Sequence, residues 1–510
     1  MNLLFLIISV VLIPLIGGQS EYEFQRMLTH FFRMTSKYKL TDKPQSNYAQ
    51  PLSYRLVDRT EYRLNRRILR KVFESDMVLT KPQMDDVIEN FRARVTGRKR
   101  GKRNAAIEGK EFRWPRGIVP YDFKENDTEW QNTILHGMSK WMKETCIRFR
   151  RRTTERDYVT FFRGGGCYSS VGRVGGRQYA SIGHGCEAPG IVSHEIGHAL
   201  GNWHEQSRPD RDKYINIHET HILRGSQGNF EVRSDLEETD IPYDLGSSMF
   251  NFLPYSDWKF VTVETRDHRF QHTIGQRGEL SFIDIKHANR LYCSHICKRN
   301  LNCENGGYEN PKNCRSCKCP QGFGGKRCER IAQSTPGCGG ELFAMNYWQT
   351  LSSTVVGECH WRLLAPSGKI TFEVIETKYE CDSSCAENYL MIKHTAKMEQ
   401  TGFRQCCNPV PGRIVSEGSQ VIVSSVSNDA PANFTIRYIL ESASNVAPPP
   451  AEWGGHGGLT GLLGANEIGI DNTLENVVLK DLPRALQSSR GAPIGSIFSL
   501  LDSFLKNSQG

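Results

Sequence analysis

Three histidines and two glutamates fall between His194 and Glu205, inside the run VSHEIGHALGNWHEQSRPDR at 192–211. His194 and His198 are four apart, so on a helix both imidazoles leave one face and can share one ion. Glu195 lies beside His194 and can reach a water on that ion. Gly201 lets the backbone turn sharply, which can return His204 as a third ligand. Three neutral imidazoles suit one Zn²⁺ and leave a fourth position open. With Glu195 as general base, such a centre suits peptide-bond hydrolysis. The competing reading is a set of surface histidines on a polar helix. A bare H-E-x-x-H recurs by chance, but the five fixed positions of H-E-x-x-H-x-x-G-x-x-H arise in roughly one in ten thousand chains of this length. The metal reading is therefore preferred.

The elements that must position these groups lie between Asn104 and Cys293. RGIVPYDF reads as a strand. DTEWQNTILHGMSKWMKETC reads as an amphipathic helix, with Trp130, Ile134, Met138 and Trp141 at helical spacing as core. YVTFFRGG and VGRVGGRQYASIG read as strands with glycine-rich turns. The histidine-bearing helix follows them.

At 510 residues several domains are expected. The opening MNLLFLIISVVLIPLIGGQS has the pattern of a secretory signal over 1–18, and no later segment is apolar enough to predict a membrane span. Sixteen cysteines, none before Cys146, fit an oxidising, extracellular destination. The net charge of +9 sits largely in a leader over 19–103, for example RLNRRILRK, and reads as solvated basic surface rather than a nucleic-acid face. Arg100-Gly101-Lys102-Arg103 reads as a processing-protease site, with Asn104 beginning the mature chain; a nuclear-localisation run is the alternative, which the signal disfavours. Beyond the core region come six cysteines in about thirty residues (294–329), too small a segment for a core without cross-links. Short alternating strands follow over 338–440, the pattern of an all-β sandwich. The stretch 441–510 is a Gly-, Ser- and Pro-rich tail that reads as disordered. Asn126 and Asn433 head N-x-T glycosylation acceptors.

HEIGHALGNWHEQSRPDRD matches the metzincin pattern and resembles the astacin family, in which glutamate and an arginine–aspartate run follow the third histidine. CPQGFGGKRC resembles an EGF-like module, and CGG with CHWRLLAP resembles a CUB domain. The module order resembles nematode members of the family. The resemblance implies an α+β, two-lobed zinc-protease domain over 104–293, then an EGF-like module over 294–329 and a CUB sandwich over 338–440. It implies disulfides Cys146–Cys293 and Cys167–Cys186 in the first. In the second it implies Cys297–Cys314, Cys303–Cys317 and Cys319–Cys328, where six cysteines alone leave fifteen pairings open and a zinc site competes. For the third, Cys338–Cys359, Cys381–Cys407 and Cys385–Cys406 are taken, although the family usually carries four cysteines there.

By the same resemblance, Met249 in GSSMF is the methionine turn beneath the zinc, and Asp76 is the leader's inhibitory zinc ligand. Glu205 is the partner of the new amino terminus after cleavage. Two positions depart from the family pattern. Asn251 stands where a tyrosine usually helps hold the oxyanion, and Ser75 stands where the leader motif F-x-G-D has glycine. Tyr255 lies nearby in sequence. The expected function is a secreted zinc endopeptidase, activated from a zymogen by a processing protease. Its substrates would be extracellular proteins of matrix or cuticle. The alternative is a secreted binding protein whose peptidase domain has weakened, acting through its EGF-like and CUB modules.

Overall fold

The computed structural model describes residues 19–37, 60–97, 110–222, 225–233, 241–251, 261–298, 300–408 and 410–443. The signal segment, the processing site Arg103–Asn104, Tyr255 and nearly all of the tail lie outside these.

The leader is not a solvated strand of charge. It forms α1 (Gln19–Thr35), α2 (Glu61–Asn65), β1 (Met77–Val78) and α3 (Lys81–Val95). Phe24, Leu28, Phe31, Phe73, Met77, Met84 and Phe91 pack into one buried cluster with Trp203, Tyr168 and Tyr179 of the peptidase region. Thr80 starts α3 with a reciprocal capping box to Gln83. Even the basic run RLNRRILRK places Asn65 and Ile68 in buried positions. The basic side chains Arg63, Arg66, Arg67, Arg70 and Lys71 are themselves exposed, as a solvated basic surface requires, and the few apolar residues between them suffice because a second body supplies the opposite wall.

The upper lobe comprises β2 (Ile118–Phe123), α4 (Thr128–Glu144), β3 (Arg148–Arg151), β4 (Tyr158–Phe162), β5 (Cys167–Ser170), β6 (Arg177–Ile182) and α5 (Pro189–Ala199). Its sheet runs β1-β5-β6-β4-β2-β3, and the leader supplies the outermost strand, β1, parallel to β5 with Met77 opposite Ser169. Apolar spacing on α4 buries Trp130, Ile134, Met138 and Trp141 against α5. The Trp141 indole donates to the Ser193 carbonyl at 2.9 Å, which ties the two helices together.

The lower lobe holds β7 (Ile215–Ile217), β8 (Val263–Thr265) and α6 (Phe282–Cys293). Asp284, in the capping box of α6, also accepts from the Ser247 hydroxyl at 2.6 Å and the Ser248 N–H at 2.8 Å. This fixes the turn that carries Met249.

Two small antiparallel pairs follow, β9 (Tyr308–Glu309) with β10 (Cys317–Lys318) and β11 (Phe323–Gly324) with β12 (Arg330–Ile331). The strand-rich C-terminal part contains β13 (Gly340–Phe343), β14 (Gln349–Leu364), β15 (Ile370–Lys378), β16 (Tyr389–Lys393), β17 (Phe403–Gln405), β18 (Ile414–Val415) and β19 (Gln420–Leu440). The first half of β19 lies between β14 and β16, the second between β14 and β15, so the long strands run through both layers of the sandwich. The fold class is thus α+β followed by a disulfide-rich segment and an all-β sandwich. Sulfurs are joined as Cys146–Cys293, Cys167–Cys186, Cys297–Cys314, Cys303–Cys317, Cys319–Cys328, Cys338–Cys359, Cys381–Cys407 and Cys385–Cys406.

Candidate metal centre

Helix α5 delivers His194 and His198 from one face, and the chain then turns at Gly201, whose φ of +104° is a conformation that favours glycine. His204 returns to the same point. Each imidazole spends its Nδ1 on an acceptor: the Ser248 carbonyl for His194 (2.8 Å), the Asn202 carbonyl for His198 (2.9 Å) and the Glu74 carboxylate for His204 (2.8 Å). Those partners assign the ring proton to Nδ1, so three Nε2 lone pairs converge. The Nε2 of His194 lies 3.1 Å from that of His198 and 3.4 Å from that of His204. A tetrahedral zinc with bonds of 2.0–2.1 Å has ligand–ligand edges of about 3.4 Å. Without a cation three such lone pairs repel, and with one they are its ligands. Asp76 completes the set, its carboxylate 3.3 Å from His194, 3.6 Å from His198 and 3.2 Å from His204. The residues therefore fit one zinc ion.

The electrostatics agree. Burial pushes His194 down to about 4, with Arg277 adding to the effect. Burial also works against a charged His204, but the carboxylates of Asp76 and Glu74 outweigh it and lift this group to about 9. The Asp76 and Glu74 carboxylates thus favour positive charge at His204, while burial and Arg277 disfavour it at His194. Glu195, one residue from His194, is wholly buried and both its oxygens lack a hydrogen-bond partner. Burial, then the charges of Asp76 and Glu61, raise its carboxyl well above the usual range. Met249 is buried with its sulfur against Gly197 of α5, and its carbonyl accepts from the Glu205 N–H at 3.0 Å.

Asn251 faces the leader. Its Nδ2 lies 2.7 Å from the Ser75 hydroxyl, 2.9 Å from Asp76 Oδ2 and 3.2 Å from the Glu74 carbonyl. The two positions that depart from the family pattern are therefore hydrogen-bonded to each other. Ser75 sits at φ +82° and Glu74 at +47°, a tight loop that presents Asp76 to the histidines. Glu205 faces a cavity of about 380 Å³ bordered by Phe112, Gly172, Asn202 and His287. It accepts from the Asp244 N–H at 2.7 Å, and burial pushes it up to about 8 against the pull of Arg208. The sequons lie apart from this centre.

Sequence reasoning missed three participants. Glu74 holds His204 from behind; its place two residues before Asp76 was the available signal. Glu61 and Arg277 form a buried ion pair beside His194, with Glu61 Oε1 3.8 Å from His194 Nε2. A separation of 216 residues leaves no local trace of that pair.

A three-histidine zinc centre with a buried glutamate, set between the lobes of an α+β domain, defines a metzincin-type zinc peptidase fold. The family model for Astacin, a peptidase family, matches residues 106–293. The chain is 42% identical over 458 residues to Zinc metalloproteinase nas-30 of Caenorhabditis elegans, covering 87% of this chain and 60% of that one. It is 34% identical over 358 residues to Zinc metalloproteinase nas-26 of the same organism, covering 66% of this chain and 85% of that one. Among solved structures, High choriolytic enzyme 1, a hatching enzyme zinc-protease from medaka fish, is 36% identical with a TM-score of 0.33, covering 35% of this chain and 92% of that one. The chain belongs to the astacin family of zinc metalloproteinases. It spans 60% of the length of the first of these relatives.

Proposed function

We propose that the chain is a secreted zinc endopeptidase held latent by its own leader. The observation that carries this reading is the convergence of three histidine Nε2 atoms beside an unpartnered, buried Glu195. When bound, zinc would supply Lewis acidity near neutral pH. His194, His198 and His204 would hold it, and their Nδ1 partners fix the rings. Glu195 takes a proton from the attacking water and returns it to the leaving amine. In the latent chain Asp76 occupies the position that water and substrate need.

Cleavage after Arg103 frees an ammonium at Asn104. The cavity beside Glu205 receives it, since a buried ammonium and a buried carboxylate are tolerable together and costly apart. Export rests on the signal-like first segment and eight disulfides. Among the described residues no helix is long and apolar enough to cross a membrane. Substrates are extracellular proteins of matrix or cuticle, presented with help from the EGF-like and CUB modules, and the activator is a processing protease that reads basic residues. Asn126 and Asn433 carry glycans in the exported protein.

Asn251 favours a second reading, a binding protein with a weakened site, because losing an oxyanion donor costs roughly 10²–10³ in turnover. One experiment separates the two. The processed chain is expected to bind one zinc per chain and cleave a quenched peptide in a chelator-sensitive way, with Glu195→Ala retaining zinc and losing turnover. A wild type that holds zinc and cuts nothing across a broad peptide library supports the binding protein and overturns the peptidase.

A further inference from the structure

The sandwich does more than follow the peptidase domain. The loop 398–402 between β16 and β17 lies on the segment that carries Met249. The Thr401 N–H donates to Asp244 Oδ1 at 3.0 Å and its hydroxyl to Asp244 Oδ2 at 3.1 Å. Beside it, the Gln400 side chain donates to the Tyr243 carbonyl at 2.7 Å. The approach is close enough that a Cβ on Gly246 would overlap the Thr401 side chain. Glu399 pairs with Lys286 of α6, and the Arg404 N–H donates to the Thr273 hydroxyl at 2.9 Å. Apolar packing continues across the same seam: Tyr243, Leu245, Phe250, Phe270 and Ile274 belong to one buried cluster with Phe403 and Ile392.

Asp244 is wholly buried, and its bonds lead to the metal ligands. Its N–H holds Glu205 at 2.7 Å, and its carbonyl accepts from the Ser247 N–H at 3.1 Å. Ser248 supplies the carbonyl that orients His194, at 2.8 Å. Met249 supplies the carbonyl that accepts from Glu205, the residue after His204. The turn is thus fixed from inside by Asp284 and from outside by Thr401.

We propose that Thr401 of the C-terminal sandwich is a positioning residue for the zinc centre, acting through Asp244 on the 244–249 turn. The sandwich is then a working part of the peptidase, not only a means of docking it. Thr401→Val removes the hydroxyl and keeps both the size and the backbone bond. A hydroxyl bond to a charged group contributes about 1.5–3 kcal/mol, which corresponds to about 10- to 150-fold.

The test uses the full chain. Zinc release to a coloured chelator is followed in the uncut precursor, made uncleavable by Arg103→Ala, and kcat and KM are measured on a quenched peptide after processing of the native site. Thr401→Val is expected to speed zinc release and lower kcat by about 10- to 150-fold, with KM within about twofold. Thr401→Ser is expected to restore both. Only the kinetic arm rests on the peptidase reading; if wild type cuts nothing, zinc release alone decides. Release and kcat both within twofold of wild type overturn the proposal, and so does a Thr401→Ser variant as impaired as Thr401→Val. If Thr401→Val does not fold, Gln400→Ala replaces it, expected to shift release in the same direction to a smaller degree, and no shift there also overturns the proposal.

Discussion

Replacing Asn251 by the tyrosine usual in the family tests whether latency in this chain depends on a bond peculiar to it. The Asn251 amide serves three acceptors of the leader: the Asp76 carboxylate, the Ser75 hydroxyl and the Glu74 carbonyl. Two amide protons cannot serve three acceptors fully, so the worth is nearer two bonds than three. One is to a charged group, about 1.5–3 kcal/mol, and one is neutral, about 0.5–1.5 kcal/mol. Asn251→Tyr is then expected to weaken the seat of Asp76 by about 2–4 kcal/mol, or roughly 30- to 1,000-fold in its open population. The assay is zinc loss to excess chelator from precursor made uncleavable by Arg103→Ala, where opening of the Asp76 loop admits the chelator. Adding Ser75→Gly is expected to slow that loss again, by about fivefold, because glycine accepts φ +82° without strain worth about 1 kcal/mol and vacates space for the ring. In the wild-type background Ser75→Gly should change little, the lost bond offsetting the relieved backbone. Zinc loss from Asn251→Tyr within threefold of wild type, or strictly additive effects in the double variant, would refute this account.

Two further outcomes are expected. Glu61→Leu leaves the buried Arg277 without its carboxylate, held only by the Phe250 and Gln276 carbonyls, so urea denaturation of the uncut precursor should show a loss of about 3–5 kcal/mol, while a loss below 1 kcal/mol would mean that the guanidinium finds another carboxylate. Lys393 is buried in the sandwich, where burial pushes it down to about 7 despite the nearby Asp244 and Glu399, and it donates to the Met398 carbonyl at 2.9 Å. The unfolded chain binds this proton more tightly, with a pKa of about 10.4, so this group should make stability rise with pH between about 7 and 10. Lys393→Met should raise the unfolding midpoint at pH 7 and flatten that slope, and an unchanged slope would show that the ammonium is better solvated than the geometry implies.

The zinc expectation was legible because it is local: one helix repeat and one glycine separate His194, His198 and His204. The β-sandwich was legible from alternation and turn residues, and the α+β class of the domain before it through family likeness. Disulfide partners were legible only through family likeness, since spacing leaves fifteen pairings among the six cysteines of 297–328. What stayed hidden depends on distant residues meeting. Glu61 and Arg277 lie 216 residues apart, and Thr401 and Asp244 lie 157 apart. Each is ordinary in its own stretch of sequence. The leader's fold was hidden for a different reason. Asn65 substitutes for a strand neighbour, its side chain bonding both N–H and carbonyl of Cys167, at 2.8 and 2.5 Å. Such a role leaves no periodic signature.

The leader and the sandwich both complete the peptidase region. The leader's Phe24, Leu28, Phe31, Val72, Phe73, Met77, Met84, Val87 and Phe91 share one buried cluster with Phe162, Tyr168, Val171, Tyr179 and Trp203 of that region. A two-residue strand pairing and charged or polar contacts such as Arg94–Glu231, Glu61–Arg277 and the Asp76 loop add to this seam. The sandwich likewise shares one apolar cluster with the lower lobe, including Phe270 against Phe403 with ring centres 6.1 Å apart. Separating that seam would expose apolar surface on both sides, which water does not repay. Both seams thus join apolar cover to specific polar bonds, and it is through the polar bonds that each bears on the metal centre: the leader through Asp76, the sandwich through Thr401 and Asp244.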